Sequence, residues 1–192
     1  MIPKHFVSLG SLGFKYRNYY YGTGGEKIGI TKNDLAEIGL IDNNLWVHPD
    51  VCEHLIDGAD KMLDRGYGIV INDAWRSVEL YKLIARRRAE SGLDVKSLIN
   101  MENKPHSTGK AIDIIPIDLK TGKDMRTRNE KRDGVECCFV DFYRNSTLSE
   151  NIRYQKIQNI MTDSFLSSGF VLGTRKEYWH FQLPDAATSE NF

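Results

Sequence analysis

Ala111-Ile112-Asp113-Ile114-Ile115-Pro116-Ile117 is an apolar run of strand type with one carboxylate set inside it. Its length and its β-branched residues favour a strand. Asp113, flanked by Ile112 and Ile114, is the anomaly. A carboxylate buried there cannot stay ionised without a partner, because an unpaired charge is costly away from water. A metal cation is one of the few partners that compensates it fully.

Upstream, Gly68-Ile69-Val70-Ile71 is a second short run of strand type. Before it, Val51, Leu55, Ala59, Met62 and Leu63 follow helical spacing, so a helix is expected over 50–65, with Asp50 as N-cap and Gly66 as its stop. After it comes Asn72-Asp73-Ala74-Trp75-Arg76-Ser77, with Ser77 placed to cap a helix from Val78 to about Glu90. Residues 93–105 read as loop or short helix. Residues 118–134 mix basic and acidic side chains and read as a solvated hairpin loop.

Further on, Ile157, Ile160, Met161, Ser164 and Phe165 mark a long helix from about Glu150 to Leu166, with Gly169 just beyond its end. Phe170-Val171-Leu172 and Tyr178 to Leu183 follow as two strands joined by a turn at Gly173. Residues 1–30, rich in tyrosine and glycine, read as loop with a short strand. Tyr16, Tyr19, Tyr20 and Tyr21 beside these glycines read as a surface cluster packed on the core, with a pocket lining as the alternative. The order of elements implies an α+β fold, a small mostly antiparallel sheet flanked by helices, in a single domain over 1–192.

Composition narrows the function. The chain has 192 residues, 26 Lys plus Arg against 26 Asp plus Glu, and a net charge of zero. That length supports a core without disulfide staples. The charge balance argues against a basic nucleic-acid binder. Mean hydropathy is −0.44 and no apolar run approaches the ~20 residues of a membrane span. No nucleic-acid partner and no membrane partner is therefore expected. The N-terminus has no long apolar region of signal-peptide type, which points to the cytoplasm. The three cysteines, with Cys137 and Cys138 adjacent and Cys52 distant, make neither a disulfide framework nor a zinc knuckle. Any metal must be held by histidine and carboxylate.

Two segments carry candidate chemistry: His106-Ser107-Thr108-Gly109-Lys110-Ala111-Ile112-Asp113 and Glu177-Tyr178-Trp179-His180. His106, Asp113 and His180 are suitable zinc ligands and leave one tetrahedral position open. Glu177 lies three residues before His180. On a regular strand it would face away, so the site requires Glu177 in a turn or beyond a bulge. His5, His48 and His54 sit at a terminus, in a pre-proline loop and in a helix, and read as structural or surface residues.

His106-x6-Asp113, with Gly109 and Ala111 between, followed by Glu177-x-Trp179-His180, resembles the zinc D,D-peptidases of the VanX type, the D-alanyl-D-alanine dipeptidases. The resemblance covers about the last three quarters of the chain. It implies one zinc per chain on His106, Asp113 and His180, with Glu177 as general base and then acid. It implies that Arg76 stabilises the transition state and that Asp141 holds the ammonium of a short peptide substrate. Lys104 and Pro105 depart from the family pattern, which has serine two residues before the first histidine. Thr108, Ser77 and Trp75 depart at positions commonly held by arginine, proline and tyrosine. None of these is a ligand or the base. Lys104 bears on dipeptide specificity, since that stretch borders the cleft.

The resemblance thus implies hydrolysis of D-Ala-D-Ala or a similar short peptide. A D,D-carboxypeptidase or a peptidoglycan endopeptidase acting on longer stem peptides is the alternative within the same fold. A non-catalytic zinc-containing binding module, as in Hedgehog-type domains, is the alternative outside enzymes. The presence of Glu177 and Arg76 favours the enzyme. Oligomeric state is open.

Overall fold

The computed structural model describes residues 2–93 and 104–186. Strands β1 (Val7–Ser8) and β2 (Trp46–Val47) pair antiparallel, with Val7 opposite Val47. Between them lie two short helices, α1 (Thr23–Lys27) and α2 (Lys32–Glu37). β1 is the short strand expected over 1–30, and α1 corrects the loop expected around it. α2 is started by a capping box: the Thr31 side chain accepts the Asp34 N–H while the Asp34 carboxylate accepts the Thr31 N–H.

Helix α3 spans Val51–Asp64, strand β3 Tyr67–Asp73 and helix α4 Val78–Glu90. Ser77 caps α4 as expected, its hydroxyl accepting the Leu80 N–H at 3.1 Å. Asp50 stands at the N-cap of α3 but makes no side-chain cap bond; its carboxylate pairs with Lys110 at 2.8 Å instead. The segment 93–105 lies largely outside the described residues. Strand β4 (Ala111–Asp118) leads into a tight turn at Asp118–Lys123, then short helix α5 (Glu130–Asp133) and long helix α6 (Ser149–Leu166). Strands β5 (Val171–Leu172) and β6 (His180–Gln182) complete the main sheet. β6 is shorter than the expected Tyr178–Leu183, and the turn at Gly173 is an excursion over 173–179.

The main sheet is antiparallel throughout, in the order β3-β4-β6-β5. This is the α+β architecture that the pattern implies. Helices α3 and α6 cover one face. Leu55, Met62, Met161 and Phe165 pack there against Ile71, Ile112, Ile114 and Phe181, all buried. Side chains alternate along a strand. With Ile112 and Ile114 turned to the helices, Asp113 faces the other side. A second apolar cluster joins Tyr20, Ile28, Ile30 and Leu35 to Leu80, Tyr81 and Ile84 of α4. The chain over 20–35 thereby packs against α4. Cys52, Cys137 and Cys138 are free thiols. Among the described residues no helix is long and apolar enough to cross a membrane.

Candidate metal centre

Three segments deliver three side chains to one point. His106 comes from a 3₁₀ turn, Pro105–Thr108. Asp113 comes from the middle of the sheet, and its register partner across β4–β6 is His180. Asp113 Oδ1 lies 2.8 Å from His180 Nδ1. His106 Nε2 lies 3.2 Å from His180 Nδ1 and 3.5 Å from Asp113 Oδ1.

Gly109 makes the first approach possible. It ends the turn at φ 71°, and a Cβ there would sit 2.4 Å from the Phe6 ring and 2.9 Å from the His48 nitrogen. Only glycine fits both demands. Gly173 does the same above His180, where a Cβ would meet the imidazole at 2.4 Å. Lys104, just before the turn, adopts the left-handed conformation at φ 36°, an uncommon backbone state for a residue with a side chain.

The outer nitrogen of each ring fixes what the inner one presents. His106 Nδ1 is 2.6 Å from the Ala74 carbonyl, an acceptor, so Nδ1 carries the hydrogen and Nε2 a lone pair. His180 Nε2 is 3.3 Å from Gln182 Oε1 and donates to it, leaving a lone pair on Nδ1. Two ring lone pairs and a carboxylate oxygen therefore converge with no hydrogen among them. The arrangement calls for a cation. A tetrahedral zinc ion with bonds near 2.0–2.1 Å sets its ligand atoms about 3.3 Å apart, and the observed 2.8–3.5 Å brackets that value. The donor set fits a metal ion, and outward hydrogen bonds to a carbonyl and an amide are the usual way such ligands are oriented.

Without a metal, a proton is the smallest cation that satisfies the group. Burial alone would raise the Asp113 carboxyl, but the charge and hydrogen bonds of His106 and His180 outweigh it and hold it well below the carboxylate range. Burial would lower His180, but its hydrogen bond to Asp113 wins and raises it. His106 is pushed down by burial and by Arg76.

Arg76 is 7% exposed and lies against the centre. Its Nε and Nη2 hold Asp73 Oδ2 at 2.8 and 2.7 Å, and Nη2 is 3.6 Å from Asp113 Oδ2. The guanidinium packs on the rings of Tyr20 and Tyr81. Nη1 has no partner among the described residues. Asp73 joins this group although sequence reasoning gave it no role. It is 2% exposed, and a bulge between Ile71 and Asp73 brings it opposite Asp113. The only signal was a carboxylate closing an apolar strand three residues before an arginine.

Glu177 lies in the 173–179 excursion rather than in a strand, as the site requires. Its carbonyl accepts the His180 N–H at 3.2 Å, which curls the turn back toward the ligand. Burial, then the neighbouring Asp113 charge, raises the Glu177 carboxyl, against His180, Arg76 and Arg128. Asp141 is not in this group. It sits at φ 65°, faces Arg175 at 3.7 Å and Arg144 at 3.8 Å, and lines a separate cleft with Gln155 and Asn159. Thr108, at a family arginine position, uses its hydroxyl inside the turn, on the Pro105 carbonyl at 2.7 Å.

No family model matches the sequence, and no curated protein matches it. Among solved structures, the chain is similar to the LdcB LD-carboxypeptidase, whose structure is described as revealing the molecular basis of peptidoglycan recognition, with 17% identity and a TM-score of 0.47. The match covers 72% of this chain and 59% of that one, so the chain spans less than two thirds of it. It is also similar to the Serratia marcescens L-Ala D-Glu endopeptidase ChiX, with 19% identity, a TM-score of 0.38, and coverage of 72% and 81%.

Proposed function

We propose that the chain is a zinc-dependent dipeptidase that hydrolyses D-Ala-D-Ala or a similar short peptide. The observation that carries this reading is the convergence of three metal-ready lone pairs at 2.8–3.5 Å beside a buried arginine. His106 Nε2, Asp113 Oδ1 and His180 Nδ1 would hold the ion. When bound, zinc supplies Lewis acidity to a peptide carbonyl and to an attacking water.

The chain's own residues supply the rest. Glu177 takes a proton from the attacking water on its carboxylate and returns it to the leaving amine. Its raised pKa suits both halves of that transfer. Arg76 offers Nη1 to the oxygen that gains charge, while Asp73 and the two tyrosine rings hold the guanidinium still. Loss of one such donor typically costs about 10²–10³ in rate. Asp141 is assigned to the substrate ammonium by the motif resemblance alone. Comparing D-Ala-D-Ala with its N-acetyl form tests that assignment, and equal rates would remove it.

The deciding experiment is alanine release from D-Ala-D-Ala by zinc-loaded protein, with Glu177→Gln alongside. We expect turnover in the wild type and a loss of about 10²–10⁴ in the variant. An inactive wild type that still holds one zinc would sink the dipeptidase reading. A cleft of about 400 Å³ runs from Asp113 to Lys131. It favours a longer stem peptide, cut by a carboxypeptidase or endopeptidase reaction, as the second reading.

A further inference from the structure

That cleft passes Ile115 and Pro116 of β4, with Met125 and Trp179 beside it. Arg128 stands in it and has no role in the reaction described above. Its guanidinium lies 4.3 Å from the centre of the Trp179 ring. Nη1 donates to the Tyr178 hydroxyl at 3.1 Å, and Nε donates to Glu130 Oε1 at 2.5 Å. These contacts fix the plane of the group. Nη2 and the second hydrogen of Nη1 have no protein partner among the described residues.

The surroundings favour an anion. Lys131 lines the same cleft, as does Arg126, which faces Glu150 at 3.9 Å. Of its acids, Asp124 is engaged by Arg17 at 2.5 Å, Glu130 already sits on Arg128 Nε, and Asp113 belongs to the metal centre. The supporting ring also places Arg128 relative to the chemistry. Trp179 directly precedes His180, and its carbonyl accepts the Ile114 N–H at 3.1 Å, next to Asp113. An arginine held flat on an aromatic face and tethered at two nitrogens loses little freedom when a carboxylate docks on its remaining N–H groups. In a short peptide of apolar residues, the free anion is the C-terminus.

We propose that Arg128 binds the terminal carboxylate of the substrate. The inference rests on the dipeptidase reading and deepens it, naming the side chain that recognises the substrate's free C-terminus.

The test compares kcat/KM for D-Ala-D-Ala and D-Ala-D-Ala amide in wild type, Arg128→Met and Arg128→Lys. Methionine keeps an apolar stem on Trp179 and removes the charge. The wild type should prefer the free acid by roughly 10- to 100-fold, the value of a charge-assisted hydrogen bond. Arg128→Met should bring the ratio near one, and Arg128→Lys should restore part of it. If the wild type cleaves both peptides equally, the proposal fails. It fails equally if Arg128→Met slows both peptides and keeps the ratio, since Arg128 then only supports the Trp179 turn. Should Arg128→Met fold poorly by circular dichroism, Arg128→Lys decides, and an unchanged ratio there overturns the proposal. If the wild type turns over neither peptide, the dipeptidase reading fails on its own. Calorimetric titration of the zinc-loaded protein with the same two peptides then decides the carboxylate site. Tighter binding of the acid in wild type but not in Arg128→Met sustains it, and equal binding of acid and amide overturns it.

Discussion

Two groups in this molecule contain two histidines and one aspartate. At the centre, the rings of His106 and His180 have centroids 4.9 Å apart at 61°. Near the N-terminus, His5 and His48 are 5.2 Å apart at 73°, with Asp50 Oδ2 3.3 Å from His48 Nδ1. Composition and spacing almost coincide, but the chemistry does not. In the inner group the outward ring nitrogens are tied to Ala74 and Gln182, and Asp113 and the inward lone pairs point at one spot. In the outer group His48 Nδ1 already accepts the Asp50 N–H, Lys110 holds the Asp50 carboxylate, and His5 and Asp50 are exposed. Water and a lysine satisfy what is left. A metal centre is made by denying its ligands other partners, more than by gathering ligands.

The sharpest way to break this contrast is to delete one histidine from each group and measure zinc by mass spectrometry after dialysis. His106→Ala and His180→Ala should lose the ion, with an affinity loss beyond the roughly 10–100-fold expected for an outer-shell change. His48→Ala should keep one ion per chain. Zinc retained in His106→Ala, or lost in His48→Ala, would invert the assignment. Next in size is the carboxylate contrast. Asp73→Ala strands the buried Arg76 charge, and removing one partner of a buried pair costs about 3–5 kcal/mol. Urea unfolding should show that loss, while Asp50→Ala, at an exposed pair, should unfold close to wild type.

Gln182→Ala tests the outer shell itself. His180 would lose the acceptor that orients it, and zinc affinity should fall about 10–100-fold in a competition titration. The smallest effect concerns His48. Burial sets its pKa below the ordinary histidine value, with Asp50 opposing and Lys110 and His5 adding. Over that window the unfolded chain binds more protons, so stability should fall as pH drops through the histidine range. The urea midpoint of His48→Gln should therefore decline slightly less than wild type between pH 7.5 and 5.5. A larger decline in the variant would reverse the sign.

Long periodic segments were the legible part of this sequence. The helices at 51–64, 78–90 and 149–166 follow their apolar spacing within a residue or two of its ends. So does the strand at 111–118, and its misplaced carboxylate led directly to the centre. Short elements were less legible. Helices α1 and α2 have five and six residues, too few to show a period, and α1 lies among glycines that read as loop. Asp73 was hidden for another reason. Its role depends on a one-residue bulge and on an arginine turned back between two strands, and neither leaves a mark in spacing. Arg144 is a local neighbour of Asp141, three residues on, but the placement of Asp141 beside Arg175 depends on loops that bring distant residues together, which no local pattern encodes.

The three-residue strand that carries His180 lies inside the sheet, between β4 and β5. During synthesis β4 leaves the ribosome about sixty residues before that neighbour does, an interval on the order of several seconds at ordinary elongation rates. Through that interval the nascent chain has Asp113 without its opposite histidine, and the lower edge of β4 waits for a segment not yet made. Residues 111–113 gain their β6 partners only when residues 180–182 arrive, and the same event delivers Glu177. Completion of the sheet therefore also brings the last of the three converging side chains, His180, to His106 and Asp113, which the chain already carries.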